Sequence, residues 1–379
     1  MASRRWAQMI PELSKTYNIF VYTNNCQGDL TVPLSEEKIK RVGFLSNPNF
    51  LRASQEKSLL QKVISYIRKD LRTLDSTFIK FYIKNRKNFI TYVAEIKPDA
   101  IITTLGPFSS VFFGLLARKL NREIKWIVDF RDPMALYTNH KRHIIKRWVD
   151  MQIEKRIIKK SDLIFNTSET YSEGMWKAYG VRTPIVYNGY PELNNIEASN
   201  KSKIIYYAGQ IYPYRESALR LLLEYLDENT EYLLKVRLLA TQERSMQLKY
   251  IVSQYPNAKV EICDPTSEEV INKESAEASV ILILEDLNPK NKWSGTLPGK
   301  LFESLPLNIP ILAICQADHE MATILEKTGL GQVGSDSDSL KHFFINLFHY
   351  QKGNDEKVED FSRKNQALKV KSLLEGLWN

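Results

Sequence analysis

The sequence predicts an α/β protein in which a doubly wound parallel-sheet plan occurs twice, in two Rossmann-like domains facing across a cleft. Short apolar runs alternate with helical patterns along most of the chain. Most of those runs are continuous apolar stretches, as in strands covered on both faces. The 379 residues also suffice for two separate cores of ordinary size.

The first half holds the runs Asn18–Thr23, Ala100–Thr103, Lys125–Asp129 and Leu163–Asn166, with Ile185–Tyr187 as a short closing strand. The second half holds Lys203–Ala208, Tyr232–Leu239, Val260–Ile262, Val280–Leu284 and Pro310–Ile314. Between them Asn188-Gly189-Tyr190-Pro191 supplies turn residues, followed by a polar stretch to Lys203. The expected domains are therefore 1–188 and 189–365, with 366–379 a terminal helix placed to pack back on the first. Ligands of such domains bind beyond the carboxyl ends of the strands.

Charge marks the same boundary. The chain carries 53 Lys+Arg against 44 Asp+Glu, net +9. Residues 1–190 account for +15 and residues 191–379 for −6. One half is thus suited to an anionic surface or ligand. Two segments concentrate the excess. Lys57–Lys97 carries ten bases and three acids, with Leu60, Val63, Ile64, Ile67, Leu71, Leu74 and Phe78 at helical spacing. Lys141–Lys160 carries eight bases and two acids, with Ile145, Val149, Ile153 and Ile157 at i, i+4 steps. Either is a core-facing stripe with a solvated basic face, or that basic face rests on anionic lipid headgroups. No helix-turn-helix, zinc or aromatic-basic signature accompanies the charge, so nucleic acid is not an expected partner.

Composition removes other classes. Gly and Pro number 15 each, against disordered or collagen-like chains. Cys26, Cys263 and Cys315 form no CxxC or Cys/His cluster, against a disulfide scaffold or zinc site. No apolar run precedes Pro11, which predicts no secretory signal. The uncharged stretch Ala100–Ala117 contains Gly106 and Pro107 and reads as strand, turn and helix, not as a membrane span.

Three strings carry chemistry. Trp126–Pro133 ends a strand in Asp129-Phe130-Arg131-Asp132-Pro133, two carboxylates and a guanidinium at a carboxyl edge. They can hold sugar hydroxyls or a phosphate, or simply cap the next loop. Leu297-Pro298-Gly299-Lys300-Leu301-Phe302-Glu303 opens a helix after strand Val280–Leu284. Free amides, a close-approach glycine and a lysine make an anion site, and Glu303 can accept both hydroxyls of a ribose; the alternative is an ordinary helix start. Tyr206-Tyr207-Ala208-Gly209 runs into a turn and Arg215, a common strand ending unless Arg215 shares the phosphate charge. Asp336-Ser337-Asp338 mimics a metal-binding Asp-x-Asp but lies in a polar loop.

The strings KPDAIITTLGPFSS, KWIVDFRDP, SDLIFNTSETYSEGMWKAYG, IVYNGY, IIYYAGQIYPYRES and LPGKLFESLPLNIPILAI, in this order across nearly the whole chain, resemble bacterial glycosyltransferases of the GT-B fold. They are most similar to the family-4-like, retaining, sugar-nucleotide-dependent enzymes of surface polysaccharide assembly. The resemblance implies an N-terminal acceptor domain and a C-terminal nucleotide-sugar domain. Glu303 is then expected on the donor ribose, Gly299 and Lys300 against the diphosphate, Arg215 as a second cation and Gly209 in the loop beside them. Arg131 and Asp132 fall where many relatives carry a His-Asp pair near the transferred sugar, with Asp129 beside them as a third catalytic candidate. Of the family's paired glutamates only the second, Glu303, is present; the first position is Gly295. The resemblance also places a central strand and a Gly-rich loop ahead of Ser3-Arg4-Arg5-Trp6.

The expectation is transfer of a sugar from a nucleotide diphosphate sugar to a saccharide or lipid-linked saccharide, in capsule, O-antigen or exopolysaccharide synthesis. No metal or other cofactor is expected. The expected setting is cytoplasmic, peripheral on the inner face of the cell membrane. A catalytically weak binding or scaffold subunit is the alternative. An epimerase of similar shape ranks lower, since none of the five His lies in these strings.

Overall fold

The computed structural model describes residues 2–25, 31–43, 76–105, 109–133, 135–136, 144–191, 203–238, 242–288, 295–350 and 353–378. The chain divides into two compact units. The first comprises Met1–Tyr187, Ser294–Thr296 and Ala367–Asn379; the second comprises Asn188–Trp293 and Leu297–Gln366.

In the first unit the order is α1 (Ala2–Leu13), β1 (Val21–Asn24), β2 (Ile39–Val42), α2 (Ser76–Ile96), β3 (Ala100–Thr104), α3 (Ser109–Leu120), β4 (Lys125–Asp129), α4 (Ile144–Lys160), β5 (Leu163–Phe165) and α5 (Glu169–Tyr179). Strands β3-β4-β5 form one parallel ladder and β1-β2 another. The central strand β4 is the most buried, and Trp126, Ile127 and Val128 are fully so. Its alternate side chains serve opposite layers. Trp126 and Val128 pack with Val111 of α3 and Ile157 of α4. Ile127 packs with Met9 and Leu13 of α1 and with Ala367, Val370 and Leu374 near the carboxyl terminus. A third cluster joins Val42, Phe81, Phe89, Val93 and Phe113, with Tyr22 and Ile101 against it. Helix α5 starts where the Ser168 hydroxyl accepts from the Tyr171 amide and stops at left-handed Gly180.

The second unit runs β6 (Ile204–Gly209), α6 (Glu216–Glu228), β7 (Leu233–Leu238), α7 (Gln242–Val252), β8 (Lys259–Cys263), α8 (Glu268–Glu277), β9 (Val280–Leu284), α9 (Gly299–Ser304), β10 (Ile311–Ile314), α10 (Met321–Thr328), β11 (Gly331–Gly334), α11 (Ser337–Ile345) and α12 (Asp355–Glu359). The last helix, α13 (Arg363–Glu375), passes from the second unit into the first. All six strands are parallel, in the order β11-β10-β9-β6-β7-β8. Counted within the unit this is 3-2-1-4-5-6, the doubly wound order. The centre is saturated with apolar residues: every residue of β9 and β10 is buried.

Two strands lie outside the sequence expectation. β2 reads Ile-Lys-Arg-Val and β11 reads Gly-Gln-Val-Gly, so neither shows an apolar run. β11 is an edge strand, whose neighbours supply what its own side chains do not. The segment Ile185–Tyr187 contributes one isolated bridge, Asn166 to Ile185, and no strand. The uncharged stretch Ala100–Ala117 spans β3 and part of α3. No helix among the described residues is long and apolar enough to cross a membrane. The periodic residues Leu60 to Leu74 lie outside the described residues; Phe78 falls in α2.

Candidate functional site

In the second unit the chain winds outward in opposite directions from β6 and β9, which are neighbours in the sheet. Beyond the carboxyl ends of such a pair the connecting loops part and leave a crevice, the usual ligand position in this topology. Those ends are Gly209 and Leu284.

The loops bring the predicted donor residues to this spot. Lys300, at the start of α9, lays its ammonium 4.0 Å from the centre of the Tyr207 ring. Gly209 has φ 134°, and a Cβ built there would fall on the Lys300 side-chain tip. Glycine is thus required twice, for the backbone angle and for the lysine. Arg215, in the turn leading to α6, donates Nη1 to the Gln210 carbonyl at 3.2 Å and Nη2 to Glu285. Its Nε is buried, with no hydrogen-bond partner among the described residues. Tyr212 and Tyr214 stack on one another at 5.5 Å, and each ring lies near the Arg215 guanidinium. Glu303 is partly exposed and has no hydrogen bond or ion pair among the described residues.

Electrostatics follow from this packing. Burial disfavours the Lys300 ammonium and Arg215 repels it, so its pKa falls to about 7 despite Glu285 and Glu303. Burial also raises the Glu285 carboxyl above its ordinary value, opposed by Arg215 and Lys300. The cluster therefore holds one permanent cation, one titratable cation and a carboxylate hydrogen-bonded to the first. Such a set binds and orients an oxyanion and can adjust its charge to it.

Gly299 is buried at the start of α9, preceded by Pro298 as N-cap with φ −65°. The helix has only six residues before a 3-10 turn at Leu305–Leu307, so its dipole is short. The first-turn amides and Lys300, more than the dipole, would carry an anion there.

In the first unit the string Asp129–Pro133 does not act as one group. Asp129 is fully buried: Arg5 donates to both its oxygens, at 3.2 and 3.3 Å, and the Trp6 indole donates to Oδ2 at 3.0 Å. Arg5 also donates to the Val186 carbonyl at 3.0 Å. The sequence expectation of a catalytic Asp129 does not fit this placement, because its carboxylate fastens α1 to the end of β4. Arg131 and Asp132 are partly exposed and paired, Nε to Oδ2 at 3.2 Å. Burial raises the Asp132 pKa, aided by the charge of Asp129 and opposed by Arg131.

Asp336 is the N-cap of α11, accepting from the Ser339 amide at 2.8 Å. Among the described residues no cluster of His, Cys, Asp or Glu is arranged to hold a metal ion. The residue missed from sequence is Glu285. Its signal was legible: an acid placed immediately after the wholly apolar strand β9.

No protein-family profile and no curated protein matches the chain. Solved structures do. Sucrose-phosphate synthase of Thermosynechococcus elongatus is similar over 100% of this chain and 92% of its own, with TM-score 0.66 and 14% identity. A glycosyltransferase of Rickettsia africae is similar over 100% and 96%, with TM-score 0.65 and 12% identity. Anabaena HepE, solved in complex with UDP and glucose, is similar over 98% and 96%, with TM-score 0.64 and 12% identity. At these identities the likeness is one of fold: the chain has the α/β fold of GT-B glycosyltransferases, with two Rossmann-like domains.

Proposed function

We propose that this protein is a retaining glycosyltransferase. In this reading it moves a sugar from a nucleotide diphosphate sugar to a saccharide or lipid-linked saccharide, in the synthesis of a surface polysaccharide. The observation that carries the reading is the grouping of Gly209, Arg215, Lys300 and Glu303 beyond β6 and β9. The bound UDP and glucose of the Anabaena protein support the choice of donor class.

Departure of the diphosphate is the difficult event, as an oxocarbenium-like sugar forms. Lys300 and Arg215 would stabilise the developing charge, usually the largest contribution of this kind. Arg215 can do so by sharing its fork between Glu285 and phosphate. Glu303 would accept the ribose hydroxyls, and Gly299 would let the diphosphate approach the backbone. Arg131 and Asp132 are assigned to the sugar side of the reaction. Retention would follow attack from the leaving-group face, with the diphosphate as base and no metal required. The setting we propose is the cytoplasmic face of a membrane, where an anionic surface would carry the lipid-linked acceptor.

A panel of nucleotide sugars tests this. A bound donor at a hundred times its Kd should stabilise the fold by about 2.7 kcal/mol. Turnover with an extract-derived acceptor should accompany it. Failure of every nucleotide sugar to bind would remove the donor site. Binding without transfer or hydrolysis would favour a scaffold subunit.

A further inference from the structure

We infer that the outer face of α4 is the surface by which this protein docks on an anionic membrane. The inference deepens the membrane setting proposed above and is independent of the sugar chemistry. Helix α4 carries two acids, Asp150 and Glu154, and both point inward, 1% and 0% exposed. Glu154 accepts from the Ala135 amide at 3.1 Å and from the Tyr179 hydroxyl. Neither carboxylate is left to neutralise the outer side.

That outer side is a continuous stripe. Ile144, Trp148, Gln152, Lys155, Arg156 and Lys159 are exposed at the spacing of one helix face, and the exposed Arg147 and Lys160 flank it on either side. Its five bases have no ion pair among the described residues. The amino-terminal end adds Ile144, 78% exposed, and Trp148, 61% exposed, one turn apart. The opposite side is anchored, with Ile157 fully buried and Ile153 against the same cluster. The face is therefore not a core stripe turned outward by error.

Three physical arguments select a lipid surface as the occupant. Bases without an ion pair among the described residues, in a row about 20 Å long, present a positive strip. A strip of that kind matches a plane of headgroups, each base adding its own attraction. Tryptophan and isoleucine at one end gain by entering the headgroup–acyl boundary, which a polyphosphate chain does not offer.

Co-sedimentation with vesicles of phosphatidylcholine and phosphatidylglycerol tests the assignment. Wild-type protein should bind at low salt and release as salt rises. The variant Lys155→Gln/Arg156→Gln/Lys159→Gln/Lys160→Gln should lose at least about a hundredfold in partition coefficient. A control with the same charge change in the second unit, Lys249→Gln/Lys259→Gln/Lys273→Gln/Lys341→Gln, should stay within about threefold. Trp148→Phe should remove a blue shift of emission that wild type shows on vesicles. Equal losses in both multiple variants would mean that net charge, not this face, drives binding, and would overturn the inference. Undiminished binding of the α4 variant would overturn it while leaving the membrane setting intact. Wild type that ignores anionic vesicles at low salt but binds oligonucleotides would overturn both. Nucleotide-sugar turnover with a soluble acceptor scores the enzymatic reading separately, and matched thermal melts show that the variants are folded.

Discussion

Lys300 sits where its charge depends on what lies beside it. With its pKa near 7, it is partly neutral at physiological pH, and an anion bound against it would restore the proton. Affinity for a nucleotide diphosphate sugar should therefore rise as pH falls from 9 towards 7, by at most about tenfold per unit, and level off below. Calorimetry in buffers of different ionisation enthalpy should detect proton uptake, absent in Lys300→Met. Folding stability has its own sign. The unfolded chain holds more protons between about pH 7 and the ordinary lysine value, so stability gains as pH rises through that window. Glu303→Ala should weaken donor binding by about tenfold or more, as expected for lost hydrogen bonds to a charged acceptor, read by the same titration. Gly209→Ala should cost about 1–3 kcal/mol in thermal melts, since its φ is strained for a side chain and the lysine must move. Lys300, Glu303 and Gly209 were legible because each stands in a short strand–turn–helix string. The Arg215–Glu285 bond was not, because its partners are 70 residues apart.

At the scale of elements, α1 is fixed to β4 by a buried ion pair. Arg5→Ala would leave Asp129 charged and unpaired in the core and should cost about 3–5 kcal/mol in denaturant titrations. Arg5→Met combined with Asp129→Leu should recover most of that loss. The apolar runs made β3, β4, β6 and β9 readable almost to the residue, because strands covered on both faces have few polar positions; β7 was readable despite Lys235 and Arg237, from its apolar majority. β2 and β11 escaped notice for the opposite reason, as edge strands need fewer apolar side chains. Asp129 misled because an acid at a strand's carboxyl edge reads as chemistry. The residue that neutralises it, Arg5, lies 124 positions earlier. Only the folded chain brings the two together.

At the scale of the whole molecule, donor contacts drawn from the second unit alone predict a confined response. Hydrogen exchange with a nucleotide sugar bound should slow most at Gly209–Arg215 and Pro298–Glu303, with α4 unaffected. The charge division near residue 190 coincides with the division into units at Tyr187 and Asn188. One layer of the first unit's core is built from both ends of the chain: Met9 and Leu13 from α1 meet Val370 and Leu374 from α13 across Ile127. This arrangement sets a schedule for synthesis. Most of the first unit is translated before the second, yet its core layer waits for residues Ala367 to Leu374, made after the whole second unit. The second unit, ending at Gln366, has its whole six-stranded sheet in hand before then. Folding on the ribosome should thus run against the order of translation, with the amino-terminal half held open until α13 emerges.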